Sequence, residues 1–351
     1  MTDSGTSLEN EGVAMGGLVK ALGIAKKLEE KSITTQVFQM PSLPVGLVGT
    51  PNLLLRHTLF GVMGHTKFGV LGPGEAASKV WPKLESAVVG TMAGPKEDLK
   101  LTFSGYALNQ SDLDVFECLL QLSGTDETVD LVEMPDGSTM LSITSYHLLK
   151  MLNRHKGANK RAYAAVEDSL LRLREGTIRI VYNCKATPAA PGFKGKKAIH
   201  LDLGGSLIFH GRSGEPAGAR HLVRINPFLQ TLFAPGQFSL IDLPLRLSLK
   251  KDLSKWLFGF YSSHARPMPH SLQKLQERCG SSMKNTTKWR NAVTAAHEEL
   301  VKSGFLESFS VDDNDVVSVE RARKHTARGQ LKAINPKAAT VEVDPRQQSL
   351  L

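Results

Sequence analysis

The chain has 351 residues, with 43 Lys plus Arg against 34 Asp plus Glu and a net charge of +9. Hydrophobic residues at 41% and charged residues at 22% are ordinary globular proportions and exclude a chain disordered throughout. At about 100–200 residues per domain, the length predicts two folded domains with tails. No run approaches the roughly 20 apolar residues of a membrane helix. The acidic, polar opening MTDSGTSLENEG does not read as a secretory signal. Cys118, Cys184 and Cys279 stand far apart with no CxxC, which fits a reducing cytoplasm and argues against a zinc module. The modest positive excess favours an acidic partner, nucleic acid first.

In chain order, residues 1–45 read as a flexible arm, with a short amphipathic segment over 13–30. Organised sequence begins near Pro51, where PNLLLRHTLF is apolar around an Arg-His pair. Residues 99–106 read as a strand and turn. Ser111 and Asp112 then offer N-cap chemistry to a helix with Leu113, Phe116, Leu119 and Leu120 on one face. A compact pattern follows: a strand at 141–144, a short helix at 146–153, a turn at 154–159 containing Gly157, a helix at 160–175 and a strand at 177–184. A Pro/Gly-rich link over 186–197 leads to further strand sequence at 198–210. Helix, turn, helix and hairpin is the order of a winged helix-turn-helix.

The second half repeats this order. One long helix is predicted over 245–263, with Leu249, Leu253, Trp256, Leu257 and Phe260 as its apolar stripe and Pro267 and Pro269 beyond its end. A short helix at 271–279 ends at Gly280, and another at 284–302 is closed by Gly304. Residues 305–311 and 316–319 flank Asp312–Asp315 (DDND) as a β-hairpin. The expected fold is therefore α+β: two tandem winged-helix domains, 46–238 and 239–321, between an N-terminal arm of 1–45 and a flexible basic tail of 322–351.

At about 100° per residue, Trp289, Val293, Ala296 and Leu300 fall on one narrow face of the 284–302 helix. Lys284, Thr287, Lys288, Asn291 and Thr294 fall opposite, with Arg290 at the flank. Lys and Arg suit phosphates, Asn suits adenine and Arg suits guanine, so this face reads as DNA-binding. In the 160–175 helix, Val166, Leu170 and Leu173 make the seam, and Lys160 and Arg161 sit opposite near its start. Lys156 and Asn159 in the preceding turn are added as phosphate contacts, while Asp168 limits DNA contact to the first turn. Residues 142–185 hold nine Lys/Arg against three Asp/Glu, and residues 251–302 hold nine against four, so the two units carry the basic surplus. Affinity for DNA should then fall steeply with salt.

Enzyme chemistry is not legible. Gly72-Pro73-Gly74-Glu75 is followed by no GK[ST], so a phosphate loop is not formed. His200-Leu201-Asp202 does not supply the HxH pair of a nickase, and neither HExxH nor GxSxG occurs. His264 and His270 bracket a Pro-rich turn and read as structural or DNA-proximal. No catalytic residue, metal ligand or cofactor is expected.

The stretch 255–289 (KWLFGFYSSHARPMPHSLQKLQERCGSSMKNTTKW) resembles the plasmid replication initiators of the TrfA type. The Phe-Tyr-Ser-Ser-His run at 260–264, Pro267, Pro269, Leu275, the Cys279-Gly280-Ser281 turn and Trp289-Arg290 carry the match. Weaker similarity extends over about 43–321, through 56–60, 101–116 and 142–173. The resemblance implies an initiator with two winged helices. It would bind direct repeats (iterons) of double-stranded DNA at a plasmid origin, open adjacent AT-rich DNA and engage single strands there, and recruit the host initiator and replicative helicase. It also implies a monomer active on DNA, with homodimers restraining copy number. The rival reading from the residues is a winged-helix transcriptional repressor acting by promoter occlusion, and a weaker rival is a DNA-bridging partition protein.

The chain closes with Gln347-Gln348-Ser349-Leu350-Leu351. This resembles the pentapeptide that binds the bacterial sliding clamp. Leu350 and Leu351 would enter an apolar pocket, with Gln347 and Ser349 at its edge.

Overall fold

A computed structural model describes residues 43, 46–62, 81–93, 97–124, 130–134, 139–184, 199–214, 220–233 and 237–325. The predicted arm, apart from Leu43, and the Gln347, Ser349, Leu350 and Leu351 motif lie outside the described residues.

Strand β1 (Leu47–Pro51) leads into the short helix α1 (Asn52–Leu55) and strand β2 (Phe60–Gly61). Strands β3 (Lys83–Ala93) and β4 (Glu97–Tyr106) form a hairpin, and β5 (Leu108–Asn109) precedes helix α2 (Gln110–Ser123). Next come β6 (Asp130–Glu133), β7 (Thr139–Ile143), α3 (Ser145–Met151), α4 (Lys160–Glu175), β8 (Thr177–Cys184) and β9 (Ile199–Ser206). The chain continues through β10 (Ile208–Ser213), β11 (Arg220–Ile225), a 3-10 segment at Pro227–Phe233 and β12 (Phe238–Asp242). The last part contains α5 (Leu243–Ser248), α6 (Asp252–Ser262), β13 (His270–Ser271), α7 (Leu272–Cys279), α8 (Thr286–Lys302), β14 (Leu306–Val311) and β15 (Val316–Arg321).

The sheets follow from two-residue alternation. In the sheet β3-β4-β8-β9, Leu101 sits opposite Ile180 and Phe103 opposite Ile178. These four are buried while Lys100 and Arg179 between them are exposed, so one face packs and the other is solvated. A second sheet has the order β10-β11-β7-β6, and a third the order β13-β15-β14. Strand β3 and the β10–β11 pair have no counterpart in the sequence reading. Their glycines and charged residues blur the alternation on which that reading depends.

Helix α2 begins with a capping box. The Asn109 side chain accepts from the Ser111 and Asp112 amides, and Asp112 accepts from the Asn109 amide at 3.0 Å. Asn109, rather than Ser111 or Asp112, is therefore the N-cap. The predicted helix over 245–263 is two helices. Leu249 is extended (φ −70°, ψ 136°), and α6 starts afresh after Lys251. The break carries an interaction that a continuous helix would forbid, because the Lys250 amide turns outward to the Glu299 carboxylate at 2.7 Å. All five residues of the predicted stripe are nevertheless buried.

The parts share one hydrophobic core, running from Val48 to Val317. Three further ties join chain segments distant in sequence. Strand β1 pairs antiparallel with β12, Leu47 opposite Asp242. The Val62 amide donates to the Cys279 carbonyl at 2.8 Å, and Arg56 binds Ser263 through its hydroxyl (3.1 Å) and its carbonyl. Finally, Asp114 and Glu117 of α2 meet Arg246 of α5 and Lys255 of α6 in a fully buried ion cluster.

Candidate nucleic-acid interface

Two helix pairs, each followed by a hairpin, hold every predicted contact residue among those described. In the first, Thr144 caps α3 by accepting from the His147 amide at 3.1 Å. The turn passes through Asn153 and Gly157, both at positive φ. Asn159 caps α4, its side-chain oxygen accepting from the Ala162 amide at 3.1 Å. Val166, Leu170 and Leu173 are buried as the seam predicts. The helix is also held by charge: the Arg172 guanidinium donates to both oxygens of Asp112, the shortest contact being 2.7 Å, and Ser169 donates to the same carboxylate. The Trp81 ring lies 4.0 Å from the Arg172 guanidinium carbon on the other side. Lys156, Asn159, Lys160 and Arg161 are all exposed around the helix start. Asn159 has a capping duty that the sequence reading did not assign to it.

The hairpin after α4 is β8–β9, paired from Thr177 opposite Ser206 to Cys184 opposite Ile199. Residues 185–198 at its tip lie outside the described set; their sequence contains Lys185, Lys194, Lys196 and Lys197.

In the second pair, Ser271 caps α7 and Gly280 ends it in the left-handed region at φ 71°. An added Cβ there would also press on Thr58, at 3.3 Å. Asn285 caps α8 by accepting from the Lys288 amide at 2.8 Å, so the helix starts two residues later than predicted and Lys284 sits in the turn. Trp289, Val293, Ala296 and Leu300 are buried, and the Trp289 indole N–H donates to the Leu272 carbonyl at 2.9 Å. This bond fixes α8 against α7. Lys284, Thr287, Lys288 and Asn291 are exposed together on the opposite side.

Arg290 is the exception. It ion-pairs with Asp315, and its second nitrogen donates to the Asp312 carbonyl at 3.3 Å. Both partners belong to the turn between β14 and β15. The sequence reading treated DDND only as a hairpin turn. A signal was available, since an arginine at the flank of a helix followed by an acidic hairpin tip invites an ion pair.

The histidines of this half are structural. His297 donates through Nδ1 to the Val293 carbonyl (2.8 Å) and receives the Tyr261 hydroxyl at Nε2 (2.8 Å). Burial lowers its pKa to about 4, so it is neutral at pH 7. His264 is lowered to about 3, by burial first and then by Arg56, and its Nδ1 meets the Phe260 carbonyl at 2.7 Å. Among the described residues no cluster of His, Cys, Asp and Glu suits a metal ion, and no helix is long and apolar enough to cross a membrane.

The family model described as TrfA protein matches residues 91–321, which takes in α2, both helix pairs and both hairpins. The chain belongs to the TrfA family. A curated relative, the plasmid replication initiator protein TrfA of Escherichia coli, is 28% identical over 297 residues, covering 84% of this chain and 67% of the relative. Among solved structures, a selenomethionine form of domains 2 and 3 of RctB is similar with a TM-score of 0.45 at 9% identity, covering 77% of this chain and 98% of the other. A second structure of RctB domains 2–3 gives a TM-score of 0.41 at 11% identity over 67% of this chain and 91% of the other. Membership places this chain with TrfA in plasmid replication initiation, and the match spans the candidate interface rather than one half of it.

Proposed function

We propose that this TrfA-family chain initiates plasmid replication by binding origin DNA through two winged-helix units, 46–238 and 239–321. The observation that carries the reading is the second helix pair. An exposed Lys284–Thr287–Lys288–Asn291 face stands opposite a buried Trp289 seam, on a helix that follows a tight turn and precedes a hairpin. The order α6, β13, α7, α8, β14, β15, with β13 paired to β15, is that expected of a winged helix. In the first unit α3, α4 and the β8–β9 hairpin repeat this order.

Each recognition helix would place its exposed side in a major groove, Lys156, Lys160, Arg161, Lys284 and Lys288 meeting phosphates and Asn291 meeting base edges. Two units on one face of the duplex would lie about one helical turn apart, roughly 10–10.5 bp, so a monomer suits a direct repeat rather than a palindrome. Origin opening at AT-rich DNA, recruitment of the host initiator and helicase, and restraint by homodimers complete the proposal. The terminal Gln347, Ser349, Leu350 and Leu351 are proposed to engage the sliding clamp.

The test is a binding titration of the full chain on duplexes carrying direct repeats taken from beside its own coding sequence, against shuffled duplexes, across a salt series. Repeat preference with a steep salt slope supports the reading. Preference for a lone inverted repeat would favour a repressor.

A further inference from the structure

Arg290 stands where a DNA-facing arginine is expected, yet in the free protein it is occupied. Its Cα is fixed by the buried neighbour Trp289. Its guanidinium reaches across to the hairpin turn and binds the Asp315 carboxylate and the Asp312 carbonyl. The turn itself is rigid. The Asp312 carboxylate accepts from the amides of Asn314 (2.9 Å) and Val316 (2.7 Å), and the Asp315 carbonyl accepts from the Leu272 amide at the start of α7 (2.8 Å). Asp315 is thus held in place by both helices of the pair.

This arrangement inverts the usual charge of a DNA-facing hairpin. Asp312, Asp313 and Asp315 are all exposed at the tip, beside a helix face that carries Lys284 and Lys288. A phosphate approaching from the hairpin side meets three carboxylates and an arginine already engaged. Both members of the Arg290–Asp315 pair are substantially open to solvent, at 41% and 56% exposure. Ion pairs of that kind contribute little to stability and are readily exchanged.

We propose that Asp315 is a specificity-determining residue: it competes with the DNA backbone for Arg290 and releases it only to a partner that binds better than one phosphate. A guanine edge is such a partner, because O6 and N7 accept both nitrogens of the guanidinium in one plane. Random duplex offers mainly phosphate, and there the latch stays closed. The acidic tip therefore lowers non-specific affinity more than specific affinity, which widens the ratio between them. The inference rests on the reading of α8 as a recognition helix.

The test compares four variants by fluorescence anisotropy on repeat and on shuffled duplex: Asp315→Asn, Asp313→Asn, Arg290→Ala with Asp315→Asn, and Lys288→Ala with Asn291→Ala. Asp315 has φ 59°, where Asn is well tolerated, so the first substitution preserves the turn. Asp315→Asn should tighten binding to shuffled duplex by about threefold to tenfold and steepen its salt slope by about 0.9, one added phosphate contact. Repeat binding should change by less, so the specificity ratio falls. Asp313→Asn removes the same charge without touching Arg290 and should give a clearly smaller effect. In the Arg290→Ala background, Asp315→Asn should lose its effect. Equal effects of the two single Asp variants, or a loss of repeat affinity in Asp315→Asn, would overturn the latch. If Lys288→Ala with Asn291→Ala leaves repeat binding unchanged, the recognition-helix reading itself fails; if that pair loses binding while Asp315→Asn behaves like Asp313→Asn, only the latch fails.

Discussion

Arg246 and Glu117 form an ion pair at 2.7 Å in which neither side chain is reached by solvent. Glu117 lies on α2 and Arg246 on α5, so the contact joins the two proposed winged-helix units. Asp114 meets the same guanidinium at 3.1 Å, Lys255 binds Asp114 as well, and Thr50 donates to Glu117 at 3.0 Å. Burying so many charges is costly unless each is paired, and here the pairs are what make the junction unique.

Removing one partner should therefore be severe. Arg246→Ala leaves Asp114 and Glu117 buried with less compensation and should cost about 3–5 kcal/mol in urea denaturation at pH 7. A cost below about 1 kcal/mol would mean that water enters the cluster freely.

Acidification should destabilise the fold in a defined window. His57 and His297 are each lowered to about 4, mainly by burial, with Arg278 and Arg56 adding to the effect at His57. Groups with a depressed folded pKa contribute stability that is present above the unfolded value of 6.5 and lost as pH falls towards 4. Each withholds on the order of 3 kcal/mol at the acid end. Glu117 runs the other way: burial, opposed by Arg246, raises it to about 7, so its term is complete below about 4.5 and is lost as pH rises through 7. The histidines outnumber it. The urea midpoint should fall between pH 6.5 and 4.5, and a midpoint that stays level over that range would contradict these environments.

Gly90 lets strand β3 approach the segment that carries Arg56 to Val62. A Cβ there would lie 2.5 Å from Cγ of His57, while Thr58 bonds the neighbouring Val89 carbonyl through its amide (2.9 Å) and hydroxyl (2.8 Å). Gly90→Ala should cost about 1–3 kcal/mol as an overpacked site. It should also speed hydrogen exchange at the Val62 amide, which is tied to Cys279 further along that segment. Unchanged exchange would show that the segment yields without loosening.

Deleting residues 347–351 should leave DNA binding intact and abolish capture by the sliding clamp. Retained capture would remove the terminal motif from consideration.

Much of this was legible in the sequence because local signals agreed. The helix 160–175 and the strand 177–184 end where the caps and the two-residue alternation put them, and the Trp289 seam is buried as its spacing predicts. What escaped was long-range. Asp114 and Glu117 sit three apart on a helix otherwise rich in Leu, Val and Phe, a hint of buried partners, but their cations are more than a hundred residues away. The split of the predicted 245–263 helix depends on Glu299, which no local window contains. Lys255 and Arg172 were counted in the basic surplus, yet both are buried against carboxylates and face no DNA. The surplus near the proposed interface is smaller than the count, and it is concentrated at the starts of α4 and α8.

The central claim is that the exposed face of α8 reads DNA. It is tested most directly by titrating direct-repeat duplex with the full chain and with Asn291→Ala. Asn291 is exposed and lies on the face opposite the Trp289 seam. The account predicts a loss of about 1–3 kcal/mol with relaxed sequence preference. Wild-type affinity and preference in Asn291→Ala would contradict it.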